Sequence, residues 1–187
     1  MTTEKESLYH HVSAHPTARI APSAGIVGDV AIGRESCVLA GAQIRGDDAA
    51  VVIGNRVSIQ ENVVVHVDFD LPVIIGDHCT VGHGAIVHGC VIGTNTLVGM
   101  GSIVMNGAKI GNDCVIAAGA LVSENKVFPD RTLIMGMPAR AVRTLSDEEI
   151  DRLCTFPADD YVRVSGNMLR EGALEHPASG MDMHRGA

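Results

Sequence analysis

Isoleucine and valine recur every six residues from Ile20 to Val122, a spacing that fits neither a helix nor an ordinary alternating strand. The ladder reads Ile20, Ile26, Ile32, Val38, Ile44, then Ile53, Ile59, Val65, then Ile75, Val81, Val87, and finally Ile92, Val98, Val104, Ile110, Ile116 and Val122. Four residues after most rungs stands a small or β-branched residue, as at Ser36, Ala42, Cys79, Thr96 and Ala120, and Gly often follows the rung directly, as at Gly33, Gly54 and Gly99. Each unit reads as one short strand with its branched side chain turned inward, followed by a corner where a small residue lets the chain bend. Three units close a triangular coil, and stacked coils pair each strand with the one a coil away at about 4.8 Å. The pattern therefore predicts an all-β fold, a parallel β-helix of hexapeptide repeats, with every rung lying over the rung three steps earlier. The seventeen rungs make between five and six coils, roughly 25–30 Å of prism at that spacing.

Four breaks in the period locate the expected loops. Three extra residues lie between Ile44 and Ile53, in the GDDAA region, and four between Val65 and Ile75, around VDFDLP. The step from Val87 to Ile92 is one residue short, and after Val122 the repeat ends in a segment turned by Pro129 and Pro138. Ser146-Asp147-Glu148-Glu149 is then a capping box that opens a helix, which Pro157 is expected to interrupt before a second helical stretch to about Leu169. The organisation expected is an N-terminal extension over 1–18, the β-helix over 19–125, an exit segment over 126–143, a helical segment over 144–170 packed along the outside of the prism, and a flexible tail over 171–187.

Composition agrees with one such domain. The 187 residues are 46% apolar with a formal net charge of −8, which offers no basic surface for nucleic acid. Three Phe, two Tyr and no Trp leave stacked aliphatics as the core material. The amino terminus MTTEKESLYHHV is charged where a signal peptide needs an apolar run, and no stretch approaches a membrane span, so a cytoplasmic protein without membrane partners is expected. Cys37, Cys79, Cys90, Cys114 and Cys154 are odd in number and scattered, as reduced thiols would be.

The same register arithmetic brings chemistry together. His66 follows Val65 and His88 follows Val87, three rungs on, so the two imidazoles occupy one position on one face in consecutive coils. Neighbours about 4.8 Å apart can converge on one metal with bonds of about 2.0–2.1 Å. His83 lies two residues past Val81 and so on another face. If all three bind one metal, the third must come from a neighbouring molecule, which a closed threefold ring supplies most simply. Taken singly, each histidine has a surface or hydrogen-bonding role as its alternative. His78 and the terminal His10, His11, His15, His176 and His184 are expected to be solvated. Arg45 stands one coil from His66 in the same column with Asp47 two residues on, either as an intersubunit ion pair or as catalytic groups. Gln60, on the face of His83 with Glu61 beside it, is the stronger catalytic candidate, since an uncharged amide can orient a nucleophile near a metal without changing the charge of the site.

These stretches, IRGDDAAVVIGNRVSIQENVVVH, IIGDHCTVGHGAIVHGCVIG, LVGMGSIVMNGAKIGNDCVIAAGALV and MGMPARAVRTLSDEE, together with the H-x16-H-x4-H spacing of His66, His83 and His88, closely resemble the γ-class carbonic anhydrase-like family of hexapeptide proteins over about Ile20 to Glu149. The resemblance implies a left-handed coil and a homotrimer whose subunits share sites for zinc, or iron or cobalt, at those histidines. It also implies Arg45 and Asp47 at the interface, Gln60 in the pocket, and hydration of carbon dioxide to bicarbonate by metal-activated water. Two departures stand out: Ser58-Ile59-Gln60-Glu61-Asn62 replaces the family's Asn-x-Gln-Asp-Gly, and the loop after His66 lacks a longer acidic insertion, leaving Asp48, Glu61, Asp68 and Asp70 as proton-shuttle candidates. The rival functions are acyl transfer from acetyl-coenzyme A, thioester hydrolysis at the same metal, and a metal-storing or structural trimer.

Overall fold

The computed structural model describes residues 11–177 and shows a parallel β-solenoid of about 7 turns with a helix along its outside. Three ladders of parallel pairs run its length. One stacks Ile26, Ile44, Val65, Val87, Val104 and Val122. The second stacks Ile32, Ile53, Ile75, Ile92 and Ile110, and the third Ile20, Val38, Ile59, Val81, Val98 and Ile116. Each rung thus meets the rung three steps away, as the six-residue period requires. From Val38 onward the ladder residues are nearly solvent-free and form one continuous core. Stacked aliphatics of this size each contribute on the order of 1.5–3 kcal/mol of burial.

The corner residues are small because neighbouring coils touch there. Ala42, Ala85, Ala108 and Ala120 are buried. Where the corner is polar, its side chain joins two coils: Ser36 Oγ donates to the Gly54 carbonyl at 2.7 Å and accepts from the Val57 amide at 3.0 Å. Thr96 does the same for Gly111 and Cys114. At Gly33 a Cβ would stand 2.4 Å from the Gly54 carbonyl oxygen, so the stacking distance itself demands glycine.

The solenoid extends past both expected ends. Ala14, in a strand paired with Gly25–Ile32, continues the second ladder at its start, Phe128 continues it at its end, and Ile134 adds a rung to the third. All three keep the six-residue spacing, but Ala and Phe are not branched aliphatics, and the pattern was read on those. The GDDAA region is not a loop: Gln43–Ile53 is one strand of 11 residues that turns from the first ladder into the second, its extra residues bulging between Gly46 and Val51 opposite Gly28 and Val30 of its partner Gly25–Ile32. Thr132–Gly136 and Ala139–Thr144 form the one antiparallel pair of strands among the described residues.

The helical segment starts at the capping box: Ser146 Oγ accepts from the Glu149 amide, and Glu149 accepts from the Ser146 amide at 3.1 Å. Pro157 does not interrupt it. The chain passes from α1 (Asp147–Ile150) through a widened π turn, Asp151–Thr155, into α2 (Phe156–Arg170). A proline removes one donor from the regular ladder, and the wider i→i+5 turn accommodates it. One side of the segment packs Ile150 and Cys154 against Val115 and Leu145. Farther along, Arg19 donates to the Val162 carbonyl and to Ser165. The stretch expected to be a flexible tail is docked over its described part: Leu174 is buried with Ala21, Cys37 and Leu39, and Glu175 exchanges backbone bonds of 2.8 and 2.9 Å with Ile20. Leu174 packs there beside Tyr161, Met168 and Leu169 of the helix, and His176 adds a bond to the Ala18 carbonyl. No helix among the described residues is long and apolar enough to cross a membrane.

Candidate functional site

Register alone brings His66 over His88, since Val64–His66 and Ile86–His88 are adjacent parallel strands with those residues opposite one another, and Arg45 lies opposite His66 on the other side. The two imidazole centroids are 4.9 Å apart with planes at 67°. His66 Nδ1 faces His88 Nε2 at 2.9 Å, a contact that holds only with a proton or a cation between the two nitrogens. The far nitrogen of His66, Nε2, is 3.1 Å from Asp47 Oδ1, and Arg45 pairs with the other oxygen of Asp47. Arg45 and Asp47 therefore meet within one chain. Burial raises the Asp47 pKa, but hydrogen bonds from His66 and from its own backbone, with the Arg45 charge, outweigh it and hold the carboxyl below its usual range.

His83 is set apart, in the turn before Ile86–His88, as the face arithmetic requires. Its Nδ1 is 2.6 Å from Glu61 Oε2 and its ring is half exposed. The buried Gln60 accepts from the His83 amide through Oε1 at 3.1 Å. Its side-chain nitrogen makes no hydrogen bond to the described residues and remains available as a donor. Among the described residues of one chain, no group of three or more His, Cys, Asp or Glu side chains is arranged to hold a metal. What one chain presents is a pair of facing imidazole nitrogens, a donor set that suits zinc, iron or cobalt, and a third imidazole elsewhere with its Nδ1 already engaged. The residues fit such an ion if His83 is met by a second copy.

The surface around the pair is apolar. A groove of about 300 Å³ runs along Val27, Gln43, Arg45 and Val64 to His66 and His88. Val27 and Val64 are each 38% exposed on it, and Val52 and Ile74 are comparably bare on the neighbouring face. A second groove of about 300 Å³ lies on the side of Gln60, lined by Leu97, Met100, Val115 and Tyr161.

Other expectations are corrected. His78 is not solvated but joins Asn95 Oδ1 at 3.1 Å to Asp159 Oδ1 at 2.9 Å. His176 is bonded to the Ala18 carbonyl, while His15 stays exposed beside Thr17, and His10 and His184 lie outside the described residues. All five cysteines are free and buried, and burial pushes the Cys79, Cys90 and Cys154 thiols up to about 12. Asp68 contacts Asn106, which in turn contacts His88. Register does not predict the Asn106 contact: with Val104 over Val87, Met105 falls over His88 and Asn106 over Gly89, and Asn106 reaches His88 only diagonally across the corner.

Residues 89–124 match the family model described as bacterial transferase hexapeptide (six repeats), and residues 72–105 match that of the hexapeptide repeat of succinyl-transferase. The chain is 42% identical to the carnitine operon protein CaiE of Escherichia coli, over 79% of this chain and 76% of that protein. It is also 42% identical to the mitochondrial gamma carbonic anhydrase 1 of Arabidopsis thaliana, over 71% of this chain and only 50% of that longer protein. Among solved structures it resembles a hexapeptide transferase family protein from Anaplasma phagocytophilum, with a TM-score of 0.80, 38% identity, and 83% and 92% of the two chains covered.

Proposed function

The chain belongs to the γ carbonic anhydrase-like family of hexapeptide-repeat proteins, and from that premise we propose that it is a metal-dependent hydro-lyase converting carbon dioxide to bicarbonate at sites shared between the subunits of a homotrimer. The observation that carries the reading is the pairing of His66 with His88, two imidazole nitrogens turned toward each other at 2.9 Å on an apolar face. His66 and His88 of one protomer, with His83 of its partner, would hold the ion. When bound, the metal would supply water acidified to a pKa of about 7, and so a nucleophile at neutral pH.

The chain's own residues prepare that site. Asp47 accepts from His66 Nε2, and Glu61 Oε2 stands 2.6 Å from His83 Nδ1, so in each ring the opposite nitrogen is the one left to face the ion. Arg45 holds Asp47 in place. Gln60, fixed through its oxygen by the His83 amide, keeps its side-chain nitrogen to orient the substrate oxygen. Asp48 and Asp70, on the strand and turn flanking the pair, are the groups to pass the released proton to solvent. The bare Val27 and Val64 are the surface a second copy would cover. Stopped-flow hydration of carbon dioxide by protein loaded with zinc or cobalt tests the reading: a metal-dependent rate lost in His66→Ala supports it, and a loaded trimer no faster than the metal-free chain refutes it.

Hydrolysis of an acyl thioester at the same site is the second reading. The groove beside Gln60 favours it, because about 300 Å³ lined by Leu97, Met100 and Val115 has room for an acyl chain. Thioester turnover by the loaded protein, lost in Met100→Trp while hydration persists, would select it.

A further inference from the structure

Two of the breaks in the six-residue period meet at one point. The four extra residues after Val65 close a tight turn in which Asp68 and Leu71 exchange backbone hydrogen bonds of 3.2 and 2.9 Å, while Asp68 Oδ1 accepts from the Phe69 amide at 2.8 Å. Asp68 Oδ2 is left pointing at Asn106, whose side-chain amide donates to it. The residue missing between Val87 and Ile92 leaves Gly89 at φ +52°, where a Cβ would stand 3.2 Å from Asn106 Oδ1 and 3.4 Å from the Leu71 side chain. Asn106 can therefore reach across the corner, and its Oδ1 lies 2.5 Å from His88 Nδ1.

The direction of this relay is fixed by chemistry. An ionised carboxylate only accepts, so the NH2 of Asn106 must face Asp68, and its carbonyl oxygen must face His88. Turning the amide over would set that oxygen against the carboxylate. A carbonyl oxygen opposite Nδ1 is satisfied only when Nδ1 carries the hydrogen. A neutral His88 then has its lone pair on Nε2, the nitrogen that faces His66.

We propose that Asn106, held by Asp68, is a positioning residue that sets the ring orientation and tautomer of His88 for metal binding; the inference rests on the metal-site reading above. It assigns to the short turn after His66 an anchoring role through Asp68 and gives His88 the oxygen partner that Asp47 gives His66 and Glu61 gives His83. Oxygen partners of this kind typically govern metal affinity by 10–100-fold.

The test is cobalt(II) binding to the full-length protein, measured by competition with a chelator and by the visible absorption of the bound ion. Asn106→Leu should bind about 10–100-fold more weakly, with an altered spectrum, while its metal-free thermal midpoint stays at the parent value. Asn106→Asp combined with Asp68→Asn reverses the two side chains but keeps every donor facing an acceptor, so it should return to near-parent affinity and spectrum. Parent-like binding by Asn106→Leu, or a double variant no better than Asn106→Leu, would overturn the inference. A parent protein that binds no cobalt at all would instead overturn the metal-site reading, and this inference with it.

Discussion

Two of the columns of stacked polar residues on this solenoid have opposite fates. One runs Arg56, His78, Asn95, Asp113 and Arg131, all at turn positions with positive φ. Its members are spent on the chain itself: Arg56 and His78 both reach Asp159, Asn95 donates to Asp113 and to Thr155, and Arg131 pairs with Asp147. The other runs Arg45, His66 and His88, and no helix among the described residues packs on it. There the side chains engage one another and the far nitrogens find oxygen partners, but two imidazole nitrogens remain turned together on an apolar face. A polar stack tied to a second element is a clasp. A polar stack that keeps unspent donor atoms beside bare valines has the makings of a site completed by something outside the chain.

That contrast can be broken in several ways. The largest effect belongs to His83→Ala, which should leave the proposed trimer intact by light scattering while metal content and hydration rate fall by more than the roughly 10–100-fold expected for losing a residue that only orients a ligand. Asp47→Ala should fall within that 10–100-fold range in metal affinity, read by chelator competition, since it frees His66 Nε2 without removing a metal ligand. Asp159→Ala strikes the other column: it should lower the thermal midpoint by about 1–4 °C, as loss of half-exposed pairs together worth about 0.5–1 kcal/mol would, and leave metal binding untouched.

The smallest effect is a pH dependence at the helix start. Arg143 and the Ser146 cap hold the Glu149 carboxyl at about 2, below its ordinary value of 4.5. Its contribution to stability is therefore complete above about pH 4.5 and fades as the pH falls toward about 2. Glu149→Gln should remove that slope from a plot of thermal midpoint against pH, and an unchanged slope would count against the capping bridge.

Much of this was legible in the residues because a solenoid is nearly one-dimensional. Once the period is known, Val65 over Val87 follows, and with it His66 over His88. The ends escaped because Ala14 and Phe128 hold ladder positions without being branched aliphatics. The clasp around His78 escaped for a different reason: Asp159 lies 81 residues away on a helix whose docking no repeat dictates. Leu174 is a similar case, one apolar residue in a polar stretch that packs beside Tyr161, Met168 and Leu169 of the helix. Pro157 misled because a proline reads as a stop only for a regular helix, and a π turn precedes this one. Asn106 escaped because register stacks it on Gly89 rather than His88, and it became visible as a functional residue only when a carboxylate on one side fixed the direction of its amide.

The claim at the centre is that each site takes two imidazoles from one protomer and one from the next. Co-assembly of His66→Ala/His88→Ala chains with His83→Ala chains, each inert alone, tests it most directly. Random mixing in equal amounts should restore about one quarter of the parent's cobalt per subunit, because one interface in four then joins an intact pair to an intact third ligand. A mixture that holds no more cobalt than either variant alone, or a His83→Ala protein that keeps its metal unaided, would contradict the shared site.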